Sequence, residues 1–166
     1  KEYFDKVFRT TRFWWNYCLK KRKTAYEETG KSVSAQYDIA RELPILKKEE
    51  KYSFLNIPPA RSLLSVCQNL DSAYARFFKG ISEFPKFKKS GYSNSFTISL
   101  NTKYQSIDCI KERNGFIKIP KIGFVRIVLH RRLSGKPKSF TISKKSFDYY
   151  EISILCDDVF TKIKKE

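Results

Sequence analysis

Glu83-Phe84-Pro85-Lys86-Phe87-Lys88-Lys89-Ser90-Gly91-Tyr92-Ser93-Asn94-Ser95-Phe96-Thr97 is the stretch at which the chain changes its hydrophobic period. Before it, apolar residues recur every three or four positions, the spacing of one helix face. After it they alternate, the spacing of a half-buried strand. The stretch itself interleaves Phe84, Phe87 and Phe96 with Lys86, Lys88 and Lys89. It reads as a basic joint, residues 84–94, between a helical part, residues 1–83, and a β part, residues 95–158. Residues 159–166 read as a polar linker or frayed tail. The expected class is α+β, with three to four helices followed by an antiparallel, barrel-like β-domain.

Upstream of the joint, residues 3–29 place Phe4, Val7, Phe8, Thr11, Trp14, Trp15, Cys18, Leu19 and Tyr26 on one face, with Arg9, Arg12, Lys20, Lys21, Arg22 and Lys23 largely off it. Gly30 suits the left-handed position after a helix end. A second helix is expected from Ser32 or Ser34, with Tyr37, Ile39, Ala40 and Leu43 as its apolar side and Pro44 ending or kinking it. One more short helical piece is expected over residues 45–51. Pro59 fits the first turn of a third helix, where its missing donor costs nothing. That helix's stripe is Leu63, Leu64, Cys67, Leu70, Ala73, Tyr74, Phe77, Phe78 and Ile81, and three such helices pack as a small bundle. Trp14 and Trp15 are adjacent and cannot point the same way, so one is expected in the core and the other against another domain or a nucleic acid. Arg12 and Asn16, one turn apart, form a polar pair beside the stripe. Either it pins the helix to its neighbour or it contacts nucleic acid.

Downstream, Phe96, Ile98 and Leu100 alternate with Thr97 and Ser99. Residues 107–111 and 116–119 flank Asn114-Gly115, a hairpin signal. Further strands are expected over residues 123–129, 138–143 and 149–156, with turns at Ser134-Gly135 and near Asp148. Five or six strands with no helix between them suggest an antiparallel sheet closing toward a barrel.

Thirty-four Lys and Arg face seventeen Asp and Glu in 166 residues, a formal net charge of +17. A field of one sign this large implies a polyanionic partner, with nucleic acid ahead of an anionic membrane. No apolar run approaches the ~20 residues that span a bilayer, and Lys1 opens no signal-peptide pattern. A chain that starts without Met inside a helical pattern is expected to be a piece of something longer. Cys18, Cys67, Cys109 and Cys156 lie far apart in sequence and His130 is the only histidine, so paired zinc ligands are missing. Four reduced, mostly buried thiols in an intracellular compartment are the expectation. Carboxylates are sparse: Asp108 and Glu112 sit on a strand pattern before the hairpin, and Asp157-Asp158 read as a solvated turn rather than a metal site. His130 sits among arginines, more a hydrogen-bonder than a base, and the glycines form no phosphate loop.

Binding is better supported than catalysis. Lys86, Lys88, Lys89, Lys118, Lys121, Arg126, Arg131, Arg132, Lys136, Lys138, Lys144 and Lys145 crowd the joint and the β part, and within residues 85–147 the only acids are Asp108 and Glu112. Such cations neutralise phosphates without reading sequence. Phe84, Phe87, Tyr92, Tyr149 and Tyr150 either fill the core or stack on unpaired bases.

Several segments also resemble a known family. Arg12-Phe13-Trp14-Trp15-Asn16-Tyr17 resembles the R-F-(V/W)-(W/Y)-N pattern in the first helix of TnpB proteins, the OrfB products of insertion-sequence transposons. Residues 25–31 look like its continuation, and Asn69-Leu70-Asp71-Ser72-Ala73-Tyr74 through Phe77-Phe78 resembles the family's long helix. Phe84-Pro85-Lys86-Phe87-Lys88-Lys89 is similar to (Y/F)-P-(K/R)-F-(K/R)-K, and residues 119–125 resemble L-P-K-(I/L)-G-W-V. Gly135-Lys136 and residues 150–156 match further strands, so the segments are collinear over nearly the whole chain.

The resemblance implies an RNA-guided DNA endonuclease related to the type V CRISPR effectors, in a prokaryotic cytoplasm. Its partners would be a guide RNA and target DNA, with no membrane and no small-molecule substrate. A helical recognition lobe set into a wedge-like β-barrel would hold the guide, its heteroduplex and a short transposon-adjacent motif, with sequence choice left to base pairing. Motif reading maps near Gln36, Tyr37, Ala60, Arg61, Leu64 and Ser65; of these Gln36, Tyr37 and Arg61 are carried over. They join Arg12, Asn16, Lys86, Lys88, Lys89, Lys121, Arg126, Arg131, Arg132 and Lys136 as the candidate nucleic-acid-binding set. The family's first strand, its RuvC-like nuclease and its zinc ribbon have no counterpart in these residues. Mg and Zn are therefore expected only in the parts not represented, this chain alone is expected not to cut DNA, and it has no catalytic residues or cofactor of its own. The alternative is a nuclease-dead RNA-guided regulator, or a helix-turn-helix DNA-binding one with residues 34–43 as the reading helix. A weaker alternative is a basic protein that binds RNA by charge alone.

Overall fold

The structure is a computed structural model that describes residues 1–91, 94–100, 110–111, 115–133, 135–147 and 149–157. Helix α1, Glu2–Thr29, is one unbroken rod of 28 residues, about 42 Å at the α-helical rise. Glu2 and Asp5 in its first turn complement the helix dipole. Gly30 ends it in the left-handed conformation at φ 67°, and its N–H donates to the Tyr26 carbonyl at 2.8 Å. The buried Thr10 and Thr11 hydroxyls bond back to the carbonyls of Lys6 and Val7.

The expected second helix is not a regular one. Residues 35–38 form turns, Ile39–Glu42 is a 3-10 helix, and α2, Leu43–Leu46, follows as a single turn. The segment's start is bonded as a helix start is, but its backbone bonds then mix spacings of four, five and three residues: Asp38 N–H to the Ser34 carbonyl, Ala40 N–H to Ala35 and Arg41 N–H to Asp38. The Asp38 carboxylate accepts the Ser34 N–H, and the Ser34 hydroxyl accepts the Tyr37 N–H. Pro44 begins α2 rather than ending a helix. A second 3-10 helix runs Glu50–Asn56, and α3 runs Ala60–Phe78 with Pro59 at its N-cap. The stripe of α3 is narrower than its sequence spacing implied. Leu63, Val66, Cys67, Leu70 and Tyr74 are buried, while Leu64, Phe78 and Ile81 face outward.

Among the described residues six strands follow: β1 Ser95–Ser99, β2 Ile110–Lys111, β3 Phe116–Ile119, β4 Gly123–Arg126, β5 Pro137–Lys144 and β6 Tyr150–Cys156. The α+β class is as expected. Among the described residues the strands pair as two antiparallel three-stranded sheets, β1-β5-β6 and β2-β3-β4, and no ladder joins one sheet to the other. Strand β4 stops at Arg126, short of the expected 129. The β1–β5 register sets Phe96 opposite Ile142 and Ile98 opposite Phe140, so the alternating apolar residues meet face to face. Gly115 is required twice over: its φ is +62°, and a Cβ there would lie 2.6 Å from the Ile127 carbonyl oxygen. Asn114, its expected hairpin partner, lies outside the described residues, as do Tyr92, Asp108, Cys109, Glu112, Ser134, Asp148, Asp158 and residues 159–166.

Two cores result, and α1 serves both. Val7 and Phe8 pack with Phe96, Ile98, Phe140 and Ile142 of one sheet and Ile110, Ile117 and Ile119 of the other. Trp14, Trp15, Cys18 and Leu19 pack with Leu55, Leu63, Cys67 and Leu70 in the helical core. The described cysteines are free, as expected, with Cys18 and Cys67 buried and Cys156 half-buried. Cys18 and Cys67, 49 positions apart, are buried free thiols with their Sγ atoms 4.0 Å apart. Trp14 Nε1 donates to the Cys67 sulfur at 3.2 Å.

Candidate nucleic-acid interface

Residues 84–89 lie as an extended strap across α1. At one end the Phe84 ring meets Tyr74 and Phe77 edge to face, with centroids 5.3 and 5.2 Å away, and Pro85 is buried beside it. Trp15 Nε1 donates to the Lys86 carbonyl at 3.1 Å. Asn16 Nδ2 donates to the Lys88 carbonyl at 3.0 Å, and the Lys88 N–H donates to Asn16 Oδ1 at 2.8 Å. One side-chain amide thus satisfies both backbone groups of a residue that has no strand partner. The Lys88 ammonium lies 4.2 Å from the Trp15 ring centroid. Desolvation there holds it below the usual lysine range, although the residue as a whole is exposed.

One expectation changes, and one of the two readings of Asn16 is seen. Trp15 does not face another domain or an open binding surface: it is 8% exposed, because the strap covers it. Asn16 takes the pinning role rather than pairing with Arg12. Arg12 is half-buried and its side chain has no hydrogen bond or ion pair among the described residues.

Comparison with known proteins bears on this region. Residues 1–31, which include Trp15 and Asn16, match the helix-turn-helix domain of the OrfB proteins of the IS605 type. The chain is 27% identical over 129 residues to the putative RNA-guided DNA endonuclease InsQ of Escherichia coli (strain K12). The chain resembles the N-terminal part of a TnpB-type OrfB protein. The aligned region covers 78% of this chain but 31% of InsQ, so the chain spans about a third of that relative's length.

Within this OrfB-like chain the remaining candidates are scattered. Lys86 and Lys89 are exposed, and Lys86 pairs with Glu83. The Gln36 N–H donates to Asp71 Oδ2 at 2.9 Å, and Tyr37, 66% exposed, lies in the same turn. Arg61 is half-buried in the first turn of α3. Lys121, at a positive φ of 72° between β3 and β4, bonds the Asn56 carbonyl. Arg126, Arg131, Arg132 and Lys136 are exposed. Arg126 and His130 line a groove of about 620 Å³ together with Tyr149 and Tyr150. Of the aromatic candidates, Phe84 and Tyr150 are packed, Tyr150 against Phe4 at 5.5 Å. Phe87 and Tyr149 are exposed. The structure therefore brings Asn16, Lys86, Lys88 and Lys89 together at the strap, puts Gln36 and Tyr37 in one turn, and leaves the others apart from these.

Sequence reading missed a buried ion pair. Arg22, grouped with the cations off the α1 stripe, is 7% exposed and bonds Asp71. Its guanidinium stacks on Tyr74 at 3.7 Å, and Nη2 donates to the Ser32 hydroxyl at 3.1 Å. Asp71 also accepts the Ser34 hydroxyl at 2.7 Å and the Ala35 N–H at 2.9 Å. A run of four cations, Lys20 to Lys23, gives no sign of which one turns inward. Among the described residues no group of three His, Cys, Asp or Glu is placed to hold a metal ion, and no helix is long and apolar enough to cross a membrane.

Proposed function

We propose that this chain is the nucleic-acid-binding portion of a TnpB-like, RNA-guided, transposon-encoded endonuclease acting in a prokaryotic cytoplasm. It holds the guide RNA, the guide–target heteroduplex and a short adjacent DNA motif. The cutting step, with its metal ions, belongs to a part of the protein outside these residues.

The observation that carries the reading is the strap. Its three lysines sit on a backbone fixed to α1 by Trp15 and Asn16, and α1 lies within the OrfB match. The relative's description as an RNA-guided DNA endonuclease supports the choice of RNA and DNA as partners. A net charge of +17 supports a polyanion of either kind. Lysines held on a fixed backbone contact phosphates and leave sequence to base pairing.

The test is to sequence the RNA that copurifies with the chain and to measure its binding against a scrambled RNA of equal length. The expected result is one enriched RNA species, bound at least about tenfold more tightly at moderate salt. Equal binding reduces the protein to a charge-driven RNA binder and overturns the guided reading.

A further inference from the structure

A groove of about 940 Å³ opens beside the strap, between the solvent side of α1, the 33–42 segment and the second 3-10 helix. Its walls are aromatic. Tyr17 stacks on the buried Trp14 at 5.3 Å and 11°, Tyr52 meets Phe13 at 6.0 Å, and Phe87, 49% exposed, closes the strap side. Lys20, Lys21 and Lys51 also line it. So do three acids, two of them already engaged. Glu42 accepts the Tyr17 hydroxyl at 2.9 Å and Lys21 at 3.2 Å, and Asp38 accepts the Ser34 N–H. Lys20 and Lys51 have no carboxylate partner among the described residues, and the Lys51 ammonium sits 5.3 Å over the Tyr52 ring. The aromatic rings thus share the groove with three cations and three acids, of which Lys20, Lys51 and Glu28 have no ion-pair partner among the described residues.

Aromatic rings beside two lysines without carboxylate partners fit one ligand chemistry. Phosphates prefer the free lysines, and an uncharged planar ring prefers aromatic walls. We infer that the groove takes an unpaired nucleotide of a strand lying along the strap, its base among Tyr17, Tyr52 and Phe87 and its phosphate on Lys20 and Lys51. This rests on the nucleic-acid reading above and deepens it: the strap holds backbone, and the groove selects for a strand with a base free to leave the stack. A duplex offers no such base.

The probe is an RNA oligonucleotide with a central 2-aminopurine, used single-stranded and again in a duplex. Binding of the intact chain is expected to quench the single-stranded probe. Phe87→Ala removes an exposed ring, and Lys51→Gln a groove cation, so both leave the core in place; a thermal melt checks that. Phe87→Ala is expected to reduce the quenching and weaken single-strand binding by about tenfold, with duplex binding changed by less than about twofold. Lys51→Gln is expected to weaken binding while leaving the quenching of the bound probe intact. Unchanged quenching in Phe87→Ala, or an equal loss on strand and duplex, overturns the groove while leaving the nucleic-acid reading standing. An intact chain that binds neither probe overturns both.

Discussion

The Asp71 carboxylate takes bonds from Arg22, from the Ser34 hydroxyl and from the N–H groups of Ala35 and Gln36, tying α1, the 34–36 turn and α3 at one point. Arg22 is buried, so removing its counter-charge leaves a cation that water cannot reach. Asp71→Ala is expected to lower stability by about 3 kcal/mol, read from the urea midpoint at an unchanged slope. A loss below about 1 kcal/mol means that solvent reaches Arg22 and the node is decorative. Asn16→Ala acts differently. Its two bonds to Lys88 are near the surface, so the cost is about 1 kcal/mol, but the strap loses its central tether. Trypsin should then cut after Lys86, Lys88 and Lys89 several-fold faster, and an unchanged cleavage rate rules out the tether. Residue types at these positions were legible in the sequence; their partners were not. Asn16 and Lys88 are 72 positions apart, and nothing in either local pattern announces a side-chain amide closing on a backbone.

At the scale of elements, the change of period at the joint was readable because 3.6 and 2 are physically distinct repeats, and α1, α3 and the strands follow from it. The Gly30 stop was readable for the same local reason. The 34–43 segment was not. Its apolar spacing is helical, but its backbone bonds mix spacings of four, five and three residues, and the Asp71 carboxylate that holds the Ala35 and Gln36 N–H groups is distant in sequence. That segment is thus a poor reading helix, which weakens a helix-turn-helix regulator built on it. The strap itself is an element with a separable job. Replacing Lys86, Lys88 and Lys89 together with Ala leaves Phe84, Pro85 and the Trp15 and Asn16 bonds to backbone in place. The affinity of this triple variant for nucleic acid should fall for all sequences alike. The slope of log affinity against log salt on duplex DNA should flatten by up to about 2.7, at roughly 0.9 for each phosphate that a lysine no longer neutralises. Sequence-dependent weakening, or an unchanged slope, places the phosphate-binding cations elsewhere, with Arg126, Arg131 and Arg132 the next to test.

For the molecule as a whole, α1 links two cores, so its helical face is also the frame on which the β part sits: Phe4 and Phe8 contact Phe96, and Asp5 pairs with Lys144. A net charge of +17 is spread over this frame. The acids in ion pairs such as Lys144–Asp5 and Lys138–Asp157 are already counted in that figure, so the pairs do not reduce it. Like charges held close on a compact surface repel more than in an extended chain, so the folded state works against its own field. Salt screens that repulsion over a Debye length of about 10 Å at 0.1 M. Salt also weakens phosphate binding by reducing the gain from counterion release. The two effects have opposite signs on two readouts. Raising NaCl from about 0.05 to about 0.2 M should raise the melting temperature of the free chain, by about 2–4 °C for each kcal/mol of repulsion removed. The same change should weaken nucleic-acid binding steeply. Adding a polyanion at low salt should raise the melting temperature further, because a ligand that binds the folded state stabilises it by mass action. A free-chain melting temperature that falls with salt would mean that attractive pairs outweigh the net field. The charge excess would then be a balanced surface rather than the footprint of a polyanionic partner.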